Sequence, residues 1–177
     1  METLHGATVQ EQLKEIEHIK KARELSAKLK DIKIAMLTTS TADGKQHSRP
    51  MYSFEMKDDG ILWFFISKDS RKVTEIKADQ NILLNYSNPQ SDLYIVINGI
   101  AEVSEDKAKI EELWSDRFKI WFPYGKDDPN LCLLKITPQE AEYWDTPDLL
   151  FAQIISLVKN TLGGNPYVES ENIKISY

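Results

Sequence analysis

Cysteine is almost absent from this chain of 177 residues, which contains Cys132 alone. A single cysteine cannot form an intrachain disulfide, and such sparing use is typical of the reducing cytoplasm, where we expect the protein to reside. Cys132 lies in the apolar run Leu-Cys-Leu-Leu with no basic residue beside it. The sequence therefore favours a small buried side chain over a nucleophile at this position.

Long apolar runs and an excess of basic charge are also missing. The longest apolar stretch, residues 149–158, has about half of the ~20 residues that a membrane span needs. The first residues lack both the basic and the apolar region of a signal peptide. With 28 acidic and 22 basic residues, the net charge is −6. We therefore expect neither a membrane nor a nucleic acid as a partner.

Generic cofactor and metal motifs are not found either. The sequence has no P-loop and no Gly-rich dinucleotide fingerprint. His5, His18 and His47 share no metal-ligand spacing, and one cysteine cannot build a zinc site, so no metal is expected. His47 and Ser48 are neighbours on a predicted strand and point to opposite faces. A solvated histidine near a turn is thus favoured over a Ser–His pair.

What the sequence does contain is a change of periodicity near residue 33. Before it, a capping-box pattern at 8–11 and apolar residues at helical spacing predict an amphipathic helix of about twenty residues. After it, a period of two predicts strands over residues 34–39, 46–56, 61–67, 82–86, 93–103, 131–136 and 140–144. Further helices are predicted over residues 70–78, 104–118 and 146–163.

These elements predict one mainly β domain with helices at its edges. Strands joined by short turns are antiparallel, and this number of them favours a closed or nearly closed barrel without free edges. We divide the chain into an N-terminal helix packed on the barrel (1–30), the barrel itself (31–145) and a C-terminal helix with a tail (146–177).

A cluster of polar and cationic residues follows the third predicted strand. Ser70, Arg71 and Lys72 open a helix, where unpaired amides and the helix dipole favour an anion. Cations at a helix start oppose that dipole, so this turn is a candidate site for a phosphate group. The alternative is a solvated basic turn paired with Asp69 and Glu75, and these residues alone favour neither.

Arg49 is a second candidate for the same anion. It precedes Pro50 and Met51, and a proline within a strand belongs at an edge or a bulge. An arginine that points inward among apolar neighbours needs an anionic partner. This segment alone slightly favours an outward arginine.

Five aromatic residues are concentrated after the fifth strand. A monomer rarely exposes so much contiguous apolar area, so the cluster predicts a contact of a two-fold dimer. The alternative is that these side chains plug one end of the barrel. The five are Trp114, Phe118, Trp121, Phe122 and Tyr124.

The order of these motifs resembles the pyridoxamine 5′-phosphate oxidase-like family of FMN-binding split barrels. The similar stretches are Arg-Pro-Met at 49–51, Phe-Ile-Ser at 65–67, Ser-Arg-Lys at 70–72, Gly-x-Ala-Glu at 99–102 and Glu-Tyr-Trp at 142–144. The resemblance covers about residues 10–145. Within the family, residues 121–125 and 127–129 look like the bacterial general stress protein branch.

This resemblance implies a homodimeric, antiparallel split β-barrel that binds FMN at the subunit interface. It implies that the phosphate is bound by Arg49 and the 70–72 turn, and that strand ends line the flavin ring. Trp144 from the second subunit is implied to pack beside the ring. The complete implied set is Arg49, Pro50, Met51, Phe65, Ile66, Ser67, Ser70, Arg71, Lys72 and Trp144.

Departures from the family pattern narrow the expected activity. The true oxidase carries Arg-x-His shortly after its Glu-Phe-Trp, whereas Trp144 is followed by Asp-Thr-Pro-Asp-Leu. Discrimination for a phosphorylated substrate needs such donors, so we do not expect pyridoxamine phosphate oxidation. The family's glutamine in the strand before Gly99 falls at Tyr94, so the resemblance implies that one flavin contact of the family is replaced here.

No residue is singled out as catalytic, and hydride or electron transfer between FMN and an unknown small molecule or electron-transfer partner is expected. Two alternatives stay open: a non-catalytic flavin-binding stress protein, and an interaction module whose aromatic loop at 121–124 binds a protein. Related barrels also hold a deazaflavin or haem. His47 is the only nearby candidate for an axial ligand of haem, and haem is disfavoured.

Overall fold

The computed structural model describes residues 8–145, together with the backbone of residues 171–176. The helix predicted over residues 146–163 lies outside the described residues. The described helices are α1 (Val9–Leu29), α2 (Arg71–Ala78) and α3 (Lys107–Leu113). The strands are β1 (Ile34–Ser40), β2 (Gln46–Tyr52), β3 (Leu62–Ser67), β4 (Asn81–Asn88), β5 (Leu93–Ser104), β6 (Leu131–Asp145) and β7 (Glu171–Ser176).

Helix α1 begins where the sequence predicts, because the capping box is formed: Thr8 accepts from the Glu11 amide, and the Glu11 side chain accepts from the Thr8 amide. Only its C-terminal half reaches the core. Its buried residues are Ala22, Leu25 and Leu29, whereas Val9, Leu13 and Ile16 remain exposed. The apolar face predicted along the whole helix is therefore buried over half of its length.

The strands form one antiparallel sheet in the order β2-β1-β4-β5-β6-β3. Strand β6 is a single strand where the sequence predicts two, and it pairs with β5 along its length. Its other edge pairs with β3 in its first half and with β7 in its second half. The tail strand β7 was not predicted, since its segment carries only a weak pattern.

A register shift at Asn98 and Gly99 allows β6 to continue through residues 137–139, which separate the two predicted strands 131–136 and 140–144. At Gly99, an added Cβ would lie 3.0 Å from both Ile136 Cγ2 and the Thr137 carbonyl oxygen. Glycine is thus required here by the close approach of β6 rather than by an unusual backbone angle.

Strands β2 and β3 follow each other in the chain but lie at opposite ends of the sheet order. Beyond β2, the Phe54 amide donates to the Trp63 carbonyl oxygen of β3 at 3.2 Å. This contact requires the sheet to curl until its two ends approach. The predicted fold class, a mainly β antiparallel split barrel with flanking helices, is confirmed.

The segment that carries the five clustered aromatic residues, 114–124, covers one end of this curled sheet; we call it the aromatic segment. Helix α3 is capped by Asp106, not by Ser104 as predicted. It ends at Leu113 instead of continuing to residue 118, and a 3-10 turn, Asp116–Ile120, follows it. Phe118 and Phe122 are buried in a second apolar cluster with Ile110, Leu131 and Leu133. These two rings therefore plug the barrel end, whereas Trp121 and Tyr124 stay 64% and 78% exposed.

Candidate functional site

A cavity of about 350 Å³ lies where β2 and β3 approach each other. This volume falls within the roughly 300–1,000 Å³ of small-molecule sites. Of the residues predicted to bind a cofactor, the cavity brings together Pro50, Met51, Phe65, Ile66, Ser67 and Lys72. Its other lining residues are Tyr52, Phe54, Phe118, Trp121 and Phe122. We call this cavity the β2–β3 pocket.

One wall of the β2–β3 pocket is built of aromatic rings in edge contact. The rings of Phe54 and Phe65 have centroids 4.9 Å apart, and those of Tyr52 and Phe118 are 5.6 Å apart. Offset and edge-to-face pairs of this kind hold their rings in fixed orientations. The wall therefore presents a preformed apolar surface to a ligand.

Phe65 was predicted to bind the cofactor, but the five other aromatic residues of the pocket were not: Tyr52, Phe54, Phe118, Trp121 and Phe122. A signal was present for two of them, because Tyr52 and Phe54 continue the period of two from Pro50 and so share its side of the segment. Phe118 and Phe122 carried no comparable signal. Their approach to the pocket depends on the turn after α3, which local periodicity does not reveal.

Lys72 supplies the cationic end of the pocket. Its side chain is half-buried, and within residues 8–145 it forms no ion pair. Burial lowers the pKa of Lys72, and the nearby charge of Arg49 lowers it further. An ammonium group that is poorly solvated and next to another cation is favoured by a bound anion.

Arg49 points inward and already has an anionic partner, contrary to the outward orientation that its segment slightly favoured. Its Nη2 donates to Glu75 Oε2 at 2.7 Å, and its Nη1 donates to Thr39 Oγ1 at 2.5 Å. The side chain is 19% exposed. Because it does not line the pocket, its contact with a phosphate stays a prediction.

Glu75 gathers further donors around one buried carboxylate. Thr39 Oγ1 donates to Oε2 at 2.5 Å, and a hydrogen bond joins Oε1 to His47 Nδ1 at 2.7 Å. Arg71 forms an ion pair with the same carboxylate, with its Nε 3.2 Å from Oε1. His47 is therefore not the solvated histidine that the sequence favoured. The basic turn pairs with Glu75 through Arg71, as the alternative interpretation of that turn anticipated.

The charge of Glu75 is maintained despite its burial. Burial alone would raise the pKa of Glu75, but the hydrogen bonds from Thr39, His47 and Arg49 outweigh it and lower the pKa to about 2. Glu75 is thus a carboxylate at neutral pH. We call it, with Thr39, His47, Arg49 and Arg71, the Glu75 network.

Ser70 and Trp144 take positions that the cavity alone does not explain. The Ser70 hydroxyl donates to the Ser67 carbonyl oxygen at 2.6 Å instead of capping α2, so no side chain caps the first amides of that helix. Trp144 pairs with Tyr94 across β5 and β6 and does not line the β2–β3 pocket. Their predicted roles remain predictions.

Neither a membrane span nor a metal centre is evident in the described part of the chain. None of its helices has both the length and the apolar content of a span. No three His, Cys, Asp or Glu side chains there are grouped closely enough to hold a metal ion.

A curled antiparallel sheet with an aromatic pocket between its two ends defines a split β-barrel protein. The sequence model of the "pyridoxamine 5′-phosphate oxidase like" family matches residues 20–168, and the chain belongs to this family.

Three similar proteins place the chain within the family. General stress protein 26 of Bacillus subtilis (strain 168) is 36% identical over 112 residues, which are 61% of this chain and 76% of that protein. A crystal structure from Jannaschia sp. CCS1, named for general stress protein 26, has a TM-score of 0.72 at 26% identity and covers 89% of this chain and 99% of its own.

The third is the general stress FMN/FAD binding protein from Xanthomonas citri. Its crystal structure has a TM-score of 0.63 at 29% identity, and the match covers 73% of this chain and 91% of that chain. The family expectation is therefore confirmed, and the chain is similar to general stress proteins, one of which is named for flavin binding.

Proposed function

We propose that this chain is a cytoplasmic, FMN-dependent oxidoreductase of a stress response. The observation that carries the proposal is the half-buried Lys72, which has no ion-pair partner within residues 8–145 and lies at the edge of a pocket with an aromatic wall. FMN combines a flat apolar ring with a phosphate, and the pocket offers a surface suited to each. The names of the Xanthomonas citri and Bacillus subtilis relatives support the flavin and the stress link, respectively.

The residues of the pocket are suited to binding and orienting a flavin. When bound, FMN supplies hydride and single-electron transfer. Phe65 and Phe118 exclude water from one side, and Lys72 neutralises negative charge. No carboxylate or imidazole lines the pocket among the described residues. The substrate is accordingly one that exchanges hydride or electrons without a protein acid or base, either a small molecule or an electron-transfer partner.

We propose further that the active form is a homodimer with the pocket at its interface. Ile34 and Met36 of β1 are 51% and 39% exposed, and they lie opposite Tyr52 and Pro50 of β2. Residues directly opposite each other share a face of the sheet, so this exposed apolar face continues into the pocket. A second copy that covered the face would border the bound flavin.

The position of Trp144 supports the same arrangement. Trp144 lies opposite Tyr94, whose side chain is 44% exposed, and so does not point into the core. A side chain on the outer face of the sheet points away from the pocket of its own subunit, but it can reach the pocket of the second subunit.

A non-catalytic flavin-binding protein is the second candidate, favoured by the absence of an acid or base from the described pocket lining. The two are separated by purifying the protein, recording its flavin absorbance bands and adding NADH or NADPH without oxygen. Reduction of the flavin, followed by reoxidation over many cycles once oxygen is admitted as the electron acceptor, supports the oxidoreductase. A bound flavin that is never reduced supports storage, and a colourless protein that ignores added FMN contradicts both.

Pyridoxamine 5′-phosphate is the control substrate. We expect the FMN-loaded protein not to produce pyridoxal phosphate at a typical enzyme rate of about 1 per second or more. Sustained production at that rate would show that the missing Arg-x-His is replaced from elsewhere in the chain.

A further inference from the structure

We propose that Glu75 is a positioning residue of the anion site, which holds Arg49 and Arg71 in place beside Lys72. The inference rests on the proposed phosphate site and adds a residue that does not line the pocket. Glu75 lies on α2 and contacts side chains from β1, β2 and its own helix. One carboxylate therefore fixes the relative positions of three elements.

The geometry around Arg49 leaves this guanidinium few alternatives. Thr39 Oγ1 accepts from Arg49 and donates to Glu75, so the three groups close a ring of hydrogen bonds. Arg49 Nη1 also lies 3.4 Å from the Leu37 carbonyl oxygen. A long side chain held by several acceptors has lost most of its rotamer freedom before any ligand arrives.

Stability alone does not explain the Glu75 network. The Glu75 side chain is 3% exposed and Arg49 is 19% exposed, so both ions have lost most of their hydration. Buried ion pairs are often matched or surpassed in stability by apolar replacements. A cluster that costs desolvation and fixes cations next to a pocket is better explained by positioning.

The local charge agrees with a phosphate monoester. Arg49, Arg71 and Lys72 carry three positive charges, and the negative charge of Glu75 reduces their sum to +2. A phosphate monoester carries about −1.5 to −2 charges at neutral pH. Glu75 therefore limits repulsion among the cations and leaves a charge that one phosphate balances.

The test is Glu75→Gln, which keeps the shape of the side chain and removes its charge. We expect the dissociation constant of FMN to rise about 10–100-fold, the range of one charge-assisted hydrogen bond. Riboflavin lacks the phosphate, so its weaker binding should not change. The ratio of the two affinities, measured by flavin fluorescence, is insensitive to a general loss of packing.

A matched control is Glu112→Gln. Like Glu75, Glu112 is a carboxylate that pairs with more than one cation, here Lys57 and Lys109. Unlike Glu75, it is exposed, and neither it nor its partners line the pocket. We expect this control to leave both affinities unchanged. If Glu75→Gln does not fold, Thr39→Val opens the same ring of hydrogen bonds and should lower the FMN affinity selectively, by a smaller factor.

Four outcomes are distinguished. A selective loss of FMN affinity supports the positioning role. An equal loss for both flavins, or no change, overturns it, and tighter FMN binding shows that Glu75 only repels the phosphate.

Lys72→Ala is measured in parallel. If Lys72→Ala leaves the ratio of FMN to riboflavin affinity unchanged, the proposed phosphate site is wrong, and the role of Glu75 is excluded with it. If Lys72→Ala lowers this ratio but Glu75→Gln does not, the phosphate site stands and only the role of Glu75 is excluded.

Discussion

Phe65 of β3 packs edge-to-face against Phe118 of the 3-10 turn, with ring centroids 5.0 Å apart and ring planes at 86°. This contact joins the strand that lines the β2–β3 pocket to the aromatic segment that covers the barrel end. The pocket wall and the second apolar cluster are therefore one packing unit.

Phe118→Ala tests this connection. Phe118 is 3% exposed, so removal of its ring should cost about 3–5 kcal/mol of unfolding free energy in urea denaturation. Flavin binding should weaken as well, because the wall loses a ring. Tyr124→Ala is the control, since Tyr124 is 78% exposed and its loss should stay within about 0.5 kcal/mol. If Phe118→Ala and Tyr124→Ala lowered the unfolding free energy and the flavin affinity equally, the wall would not be preformed.

Lys72→Ala tests the phosphate contact directly. We expect FMN binding to weaken about 10–100-fold, because a charge-assisted hydrogen bond is lost. Salt should weaken FMN binding less in this variant than in the parent protein, since one screened attraction is gone. Lys77→Ala is the control on the same helix, because Lys77 does not line the pocket. An equal loss for riboflavin would indicate that Lys72 supports the ring or the fold.

The pKa of Glu75 predicts a pH dependence of stability. The pKa falls from 4.5 to about 2 in the folded protein, so the stabilising effect of ionised Glu75 is fully present well above pH 4.5. It is lost as the pH falls towards 2, because the unfolded chain takes up the proton first. The difference in unfolding free energy between the parent and Glu75→Gln should therefore shrink between about pH 5 and pH 2. A difference that does not vary with pH would contradict the low pKa.

Gly99→Ala tests the close approach of β5 and β6. The added methyl would lie 3.0 Å from the Thr137 carbonyl oxygen, which is backbone and cannot move aside cheaply. We expect a loss of about 1–3 kcal/mol in unfolding free energy from this overpacking. Asn98→Ala, at the exposed neighbouring position, is the control. A neutral Gly99→Ala would mean that the register shift at this point relaxes freely.

Sedimentation tests the proposed homodimer. We expect a two-fold dimer at micromolar concentration, and Met36→Lys should weaken it by about tenfold or more, or 1.4 kcal/mol, because two charges enter an apolar interface. Ile120→Lys is the matched control, since Ile120 is 76% exposed but lies on the 3-10 turn. A parent protein that sediments as a monomer would exclude an interface site.

Local sequence patterns predicted the elements that carry the pocket. The capping box placed the start of α1, and alternation placed β1 and β3 to within one residue. Ser-Arg-Lys at 70–72 marked the start of α2 correctly. Each of these signals arises from neighbours in the chain, so none requires knowledge of the tertiary structure.

The features that sequence analysis missed depend on distant contacts. Two strands were predicted over residues 131–136 and 140–144, but a register shift at Gly99 lets β6 continue between them. Arg49 is turned inward by Glu75, a partner on another element. Phe118 reaches the pocket because a turn follows α3. In each case the outcome was decided by a group far away in sequence, which periodicity does not report.

The pairing of β3 with β6 affects how the protein emerges from the ribosome. Strands β2 and β3 are synthesised early, but the ladder partner of β3 is the segment 131–136, which follows much later. During that interval β3 presents an unpaired apolar edge, the kind of edge on which nascent chains aggregate. A chain interrupted before residue 131 would lack one side of the pocket's supporting sheet. Strand β3, which carries three of the lining residues, therefore gains this support only once residues 131–136 have been synthesised.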